Sequence, residues 1–200
     1  MTKVFVAKIA EFSSFDGLPT VIENELATVK NEQVVAAKRA AYGLLFSALN
    51  ACGYDGERAF AALQKNAYGK PVCDGVEFSV SHSKTAVAAA VSTRPVGVDL
   101  ETLSGRKTGD FSFALAQGER AETAEAFLTL WTKKEAVFKR MGNAKRFQPK
   151  TFRADAFPSQ TQVFSLDGVE YVLSVATDER AEIEIIKGKI QILIYRNILR

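Results

Sequence analysis

The sequence predicts an α+β fold, because each half of the 200-residue chain presents a long helical stretch followed by several strands. Two observations support this prediction. Helical spacing of apolar residues extends over one long segment in each half, and runs of strand-like residues with turn signals follow it. A parallel doubly wound sheet would instead alternate strands with helices. We expect an N-terminal half at 1–101 and a C-terminal half at 102–200, without a residue-level repeat.

The elements of the first half begin with residues 4–10, whose alternation predicts a strand. The Ala- and Leu-rich segment Glu32–Ala51 predicts a long helix that ends near Gly53. A shorter helix is expected at 57–65, and AYGKP then predicts a turn. The remaining strands of this half are expected at 78–81, 85–92 and 96–101.

The second half begins with a strongly helical segment at 119–141. Two hairpins are expected after it, one at 161–177 with its turn at 167–168 and one at 182–196 with its turn at 187–188. A glycine-containing pair between two apolar runs is typical of such a turn.

The composition is that of an ordinary globular protein, with 47% hydrophobic residues and enough length for a sizeable core. Cys52 and Cys73 lack CxxC spacing, so they predict neither a disulfide framework nor a zinc site and fit a reducing compartment. Lys8 and Glu11 interrupt an N-terminal apolar run too short for a signal peptide, and no later segment approaches a membrane span. We therefore expect a cytoplasmic protein without a membrane partner.

The charge balance is mildly basic, with a formal net charge of +3 and a sequence pI of about 8.8. The chain lacks the long Lys/Arg blocks of a nucleic-acid-binding tail, so no nucleic acid is expected as a partner. Clustered basic residues suit a phosphorylated ligand or an acidic protein, with solvated helix faces as the alternative. These clusters are Lys38-Arg39, Lys133-Lys134, Lys139-Arg140 and Lys145-Arg146.

Two carboxylates, Asp99 and Glu101, lie one residue apart in the segment VGVDLE, at the end of a predicted strand. Residues two apart on a strand share a face, so both acids project into one small volume. In a partly dry site they would raise each other's pKa unless a cation lay between them, and a divalent metal is one such cation. An edge strand with one solvated face is the alternative.

The second long helix contains FLTLWTKKEAVFKRMG, in which Trp131, Glu135 and Lys139 lie four residues apart on one side. An ordinary salt-bridged helix surface would explain this spacing by itself. Beside Asp99 and Glu101, however, Glu135 would supply a third carboxylate and Lys139 a phosphate partner. Mg²⁺ takes one or two carboxylates and completes its shell with water and substrate phosphate, so the set predicts a magnesium–phosphate site.

Two further residues are candidates for ligand binding. His82, the only histidine, lies in VSHS where a strand passes into a turn, and Lys70 lies on the stiff turn YGKP. A structural histidine and a solvated turn lysine are the respective alternatives.

Four motifs occur in order: YGKP at 68–71, FSVSHS at 78–83, VGVDLE at 96–101 and WTKKEAVFK at 131–139. Together they resemble the 4′-phosphopantetheinyl transferases, specifically the pseudo-dimeric, surfactin-synthetase-activating type that modifies carrier domains of nonribosomal peptide and polyketide synthetases. The patterns G-x-D-x-E and W-x-x-K-E-A-x-x-K match at every defined position. The resemblance extends over about residues 38–152.

This resemblance implies a fold of two similar halves, each a long helix on a small, mainly antiparallel sheet, with the active site between them. A pseudo-dimer within one chain implies a monomer. The implied reaction is attack by a serine hydroxyl of an acyl or peptidyl carrier protein on the β-phosphate of coenzyme A, which releases 3′,5′-ADP. Because the nucleophile belongs to the carrier, no Ser-His-Asp or Cys-His arrangement is needed in this chain.

The resemblance also implies residue roles. Asp99 and Glu101 would be Mg²⁺ ligands, and Glu135 would ligate the metal, activate the serine, or do both. Lys139 would contact the diphosphate. The residues implied to bind coenzyme A are Lys70, Pro71, Ser81, His82 near the 3′-phosphate, Lys139, and Arg39 in the long first helix.

The sequence departs from the family in two places. The typical arginine late in the long first helix is absent from YGLLFSALN, and Lys38 and Arg39 would compensate for it. After Lys139 the family continues K-x-x-G-x-G-L, whereas this chain has KRMGNAKRF, in which Gly142 fits and Lys145 replaces an apolar residue. The alternatives are a non-catalytic coenzyme A- or carrier-binding homologue, and a phosphohydrolase that splits coenzyme A with water.

Overall fold

A computed structural model of the protein describes residues 1–107, 109, 111–142 and 147–186. The helices are α1 (Ile9–Phe12), α2 (Thr20–Leu26), α3 (Glu32–Ala51), α4 (Gly56–Ala61) and α5 (Ala124–Met141). The strands are β1 (Thr2–Lys8), β2 (Gln64–Lys65), β3 (Pro71–Val72), β4 (Glu77–His82), β5 (Ala86–Ser92), β6 (Gly97–Thr102), β7 (Ser159–Leu166), β8 (Val169–Ala176) and β9 (Ala181–Ile185).

The strands form two main sheets and one short hairpin. The first sheet has the order β4-β5-β1-β9, in which β1 is antiparallel to β5 and parallel to β9. The second has the order β6-β8-β7 and is antiparallel, while β2 pairs with β3. The mixed α+β class, with helices packed on small sheets, is therefore confirmed. The division at 1–101 and 102–200 stays a prediction, and β9 crosses it to pair with β1.

Helix α3 has the predicted bounds, because signals at both ends are local. The side chain of Asn31 accepts hydrogen bonds from the amides of Gln33 and Val34, and Gly53 follows the helix in the left-handed region. The small and branched residues of its buried face lie against β5 in the largest core cluster. This packing joins α3 to the first sheet.

Helix α5 begins at Ala124, so the predicted start at residue 119 is wrong. Thr123 is extended and its hydroxyl accepts from the amide of Ala126, which caps the helix there. The carboxylate of Glu119 instead accepts from the amides of Ala116 and Ala154, outside any helix. The predicted end at Met141 is confirmed.

Two other predicted boundaries are wrong. The strand expected at 4–10 ends at Lys8, because the chain turns there into α1. The helix expected at 57–65 ends at Ala61, because residues 64–65 pair with β3 as strand β2. The strands expected at 78–81, 85–92 and 96–101 are confirmed as β4, β5 and β6.

The hairpin predicted at 161–177 is confirmed as β7 and β8. Asp167 and Gly168 connect the strands with φ values of 51° and 77°, both in the left-handed region that a tight hairpin turn requires. For the second hairpin, the first strand is present as β9, and the turn at 187–188 lies outside the described residues. Within the described ranges, no helix has the length and apolar character needed to cross a membrane.

Candidate active site

Strand β6 approaches helix α5 very closely at Gly97. A β-carbon on Gly97 would lie 1.9 Å from the carbonyl oxygen of Ala136 and 2.5 Å from the amide nitrogen of Arg140. Neither backbone atom can move without deforming the helix, so the approach requires glycine. It brings the acid-bearing end of β6 against the helix that carries Glu135.

Gly97→Ala is expected to lower the free energy of unfolding by about 1–3 kcal/mol, because the added methyl group forces β6 away from α5. Chemical denaturation measures the effect. Gly109→Ala is the matched control, since a β-carbon there meets no described residue within 4 Å. Equal denaturation midpoints for the two variants would contradict the close approach.

The other side of β6 faces β4, and two serine side chains join the strands. The hydroxyl of Ser79 accepts a hydrogen bond from the amide of Val98 at 3.1 Å, and that of Ser81 accepts from the amide of Leu100 at 3.2 Å. Strand β6 is an edge strand of its own sheet, but β4 of the other sheet covers that edge. Asp99 is consequently only 6% exposed, and the solvated edge strand, the alternative considered above, is wrong.

The Asp99 carboxylate lies at the centre of a buried polar cluster. Its Oδ1 accepts from the hydroxyl of Ser81 at 2.8 Å and from Nζ of Lys139 at 2.7 Å, and Lys139 also donates to Ser81 at 3.0 Å. Its Oδ2 is buried and has no hydrogen-bond partner among the described residues. A buried carboxylate oxygen without a partner is costly, so this atom fits an additional cation.

Glu135 and Glu101 belong to the same electrostatic cluster. Burial raises the pKa of Glu135 to about 7, the charges of Asp99 and Glu101 add to the shift, and Lys139 opposes it. Burial, followed by the charge of Asp99, also raises the pKa of Glu101. These directions are expected for like charges in a partly dry site. The described part of the chain holds no three His, Cys, Asp or Glu side chains already arranged as a metal centre.

Two cavities flank the acid cluster. The first, of about 500 Å³, is lined by Lys139, Lys70 and Pro71, and by Lys65, which forms an ion pair with Glu25 in the same wall. Burial lowers the pKa of Lys70, and the negative charge of Glu77 opposes this shift. A cavity of this size with several ammonium groups suits a phosphorylated ligand.

The second cavity, of about 720 Å³, is lined by His82, Glu101 and the N-terminal end of α3. Burial, followed by the positive charges of Lys139 and Lys38, lowers the pKa of His82. The imidazole is therefore neutral at pH 7 and offers one donor and one acceptor.

The structure brings most predicted site residues together, but Arg39 and Lys38 are engaged elsewhere and Ser81 has a different place from the predicted one. Ser81 bonds to Asp99 and Lys139 rather than lining either cavity described above. Arg39 donates from Nη1 to the carbonyl oxygen of Phe15 at 2.7 Å. Lys38 forms an ion pair with Glu25. The coenzyme-binding role of Arg39 stays a prediction.

Sequence reasoning missed the environment of Lys134. We grouped it with basic residues suited to a phosphorylated ligand or acidic partner, but its side chain is 0% exposed and forms an ion pair with Glu119. It also donates to the carbonyl oxygens of Ala114 and Pro149, at 2.9 and 2.7 Å. The spacing of charges along α5 gave no signal for this burial, because the partners come from outside the helix.

No family model matches this chain. It is 29% identical over 119 residues to the 4′-phosphopantetheinyl transferase gsp of Aneurinibacillus migulanus, over 54% of this chain and 50% of that protein. The chain thus spans about half the length of the curated relative that it matches. The resemblance to the 4′-phosphopantetheinyl transferases, first indicated by the four motifs, is thereby confirmed.

Proposed function

We propose that this protein, as a cytoplasmic monomer, transfers the 4′-phosphopantetheine group from coenzyme A to a serine of an acyl or peptidyl carrier protein and releases 3′,5′-ADP. The observation that carries the proposal is the partly buried cluster of Asp99, Glu101, Glu135 and Lys139 beside a lysine-lined cavity. The name of the matched relative supports it, since that protein is a 4′-phosphopantetheinyl transferase.

The acidic residues fit a bound Mg²⁺. Asp99 has a buried oxygen without a partner, and the pKa values of Glu101 and Glu135 are raised, which is how carboxylates behave when they lack sufficient positive charge. These three residues would hold the ion. When bound, it would neutralise charge on the diphosphate oxygens.

The remaining residues bind and orient the reactants. Lys139 donates to Asp99 and Ser81 at the wall of the first cavity, which leaves one of its three N–H groups for the diphosphate. Lys70 lies in the same wall. Glu135 would hold the ion, accept the proton of the attacking serine, or do both. The serine oxygen bonds to the β-phosphorus while 3′,5′-ADP leaves, so catalysis depends mainly on positioning and charge stabilisation.

Intact-mass spectrometry tests the proposal directly. Several apo carrier proteins are incubated with this protein, coenzyme A and Mg²⁺, with and without EDTA. We expect at least one carrier to gain the mass of one phosphopantetheine group, and EDTA to abolish the gain because it removes the divalent ion. No gain with any carrier would contradict the proposed function.

A non-catalytic coenzyme A-binding protein is the second candidate. It is favoured by the missing late-helix arginine and by the engagement of Lys38 with Glu25 and of Arg39 with Phe15. Measurable coenzyme A binding without carrier modification would identify it. Release of 3′,5′-ADP in the absence of any carrier would instead identify the phosphohydrolase.

A further inference from the structure

Asn66 organises the turn that carries Lys70. Its Oδ1 accepts hydrogen bonds from the amides of Tyr68 and Lys70, both at 2.9 Å. Its backbone amide donates to the carbonyl oxygen of Lys70, and its carbonyl oxygen accepts from the amide of Gly69, each at 2.9 Å. One residue therefore closes the turn through four hydrogen bonds.

The same side chain also docks the turn on helix α5. Nδ2 of Asn66 donates to the carbonyl oxygen of Gly142 at 3.0 Å. Gly142 ends α5 in the left-handed region with φ 68°, and a β-carbon there would lie 3.1 Å from that Nδ2 and 3.5 Å from Cδ of Lys70. The turn and the helix end are thus in direct contact across 76 residues of sequence.

This contact sets where Lys70 lies relative to Lys139. Gly142 follows Lys139 by less than one helical turn, so a segment bound to Gly142 is held near the ammonium-bearing face of α5. Both lysines line the first cavity. The Lys70 side chain is only 13% exposed, and the carboxylate of Glu77 lies 3.9 Å from its Nζ, which leaves donors for a ligand.

We propose that Asn66 is a positioning residue for coenzyme A recognition. By docking the Lys70 turn on Gly142, it fixes the distance between Lys70 and Lys139 so that both ammonium groups contact the phosphate groups of one coenzyme A molecule. This inference rests on the proposed function. It adds a residue that contacts no ligand itself and acts through Lys70.

Two Asn66 variants test the docking. Asn66→Ala removes the acceptor and the donor, and we expect it to raise the KM for coenzyme A about tenfold with kcat within about twofold, since ground-state binding is affected. Asn66→Asp keeps the acceptor for the Tyr68 and Lys70 amides but loses the donor to Gly142. It should raise the KM similarly while both amides stay protected from hydrogen exchange.

Asn50→Ala is the matched control. Asn50 also bridges two segments, donating to the carbonyl oxygen of Phe46 and accepting from the amide of Gly56, but it does so at the far end of α3. We expect a comparable loss of Tm and an unchanged KM. In a Lys70→Met background, Asn66→Ala should raise the KM no further, because the effect passes through Lys70.

The positioning role is overturned if folded Asn66→Ala keeps the wild-type KM, or if its effect is fully additive with that of Lys70→Met. Calorimetric titration with coenzyme A separates this outcome from failure of the proposed function. If the wild-type protein binds coenzyme A but modifies no carrier, the proposed function is overturned. The coenzyme A affinities of the Asn66 variants then still test the positioning role. Absence of coenzyme A binding by the wild type overturns both proposals.

Discussion

Asp99→Asn and Glu135→Gln are each expected to lower the rate of carrier modification by a factor of about 10²–10³ while leaving the protein folded. Asparagine retains an oxygen that accepts from Ser81 and Lys139, as Oδ1 of Asp99 does, so the local packing is preserved. Each variant removes one negative charge from the site proposed to hold Mg²⁺. Initial rates from intact-mass spectrometry measure the loss, and circular dichroism verifies folding.

Glu125→Gln provides the matched control for these variants, because Glu125 is an exposed acid in the first turn of the same helix as Glu135. Its rate should equal that of the wild type. Wild-type rates for both Asp99→Asn and Glu135→Gln would contradict the assignment of the site.

The stability of Glu135→Gln distinguishes a functional acid from a structural one. Burial and two neighbouring carboxylates disfavour the charged form of Glu135 and raise its pKa to about 7. Neutralising the side chain relieves that repulsion, so the free energy of unfolding at neutral pH should stay the same or increase. Loss of activity without loss of stability is typical of an acid retained for chemistry.

Glu119→Gln is expected to lower the free energy of unfolding by about 3–5 kcal/mol, because it leaves the buried ammonium group of Lys134 without its counter-charge. The two side chains are 4% and 0% exposed. Lys134 would retain the carbonyl oxygens of Ala114 and Pro149, which satisfy hydrogen bonds but do not neutralise the charge. Chemical denaturation monitored by tryptophan fluorescence measures the change.

Asp155→Asn is the control for this experiment, since the ion pair between Arg153 and Asp155 is exposed and its removal should leave the denaturation midpoint unchanged. The double variant Lys134→Met with Glu119→Gln should cost less than the sum of the single variants, because it removes both members of the buried pair. Full additivity would contradict a direct coupling between the two side chains.

The pH dependence of stability gives an independent test of the same pair. Burial alone would raise the pKa of Glu119, but hydrogen bonds from Lys134 and from the amides of Ala154 and Ala116 hold it below its ordinary value near 4.5. Its stabilisation is therefore present above pH 4.5 and is lost as the pH falls through the folded-state pKa. Glu119→Gln should show a flatter loss of stability in this acidic range than the wild type does.

Local interactions made much of the fold predictable from the sequence. The end of α3 follows from Gly53 after it, and the turn at 167–168 follows from an Asp-Gly pair. Periodicity likewise places Asp99 and Glu101 on one face of a strand. These features involve residues close together in the chain, so residue type and spacing are sufficient to predict them.

The tertiary structure alone decided how these elements meet. Spacing along α5 could not show that Lys134 is buried on Glu119, and the pattern of residues 181–185 could not show that β9 pairs with β1. The close approach at Gly97 and the docking of Asn66 on Gly142 also join residues far apart in the sequence. Such contacts depend on the packing of whole surfaces, which is a property of the folded chain and not of any short segment.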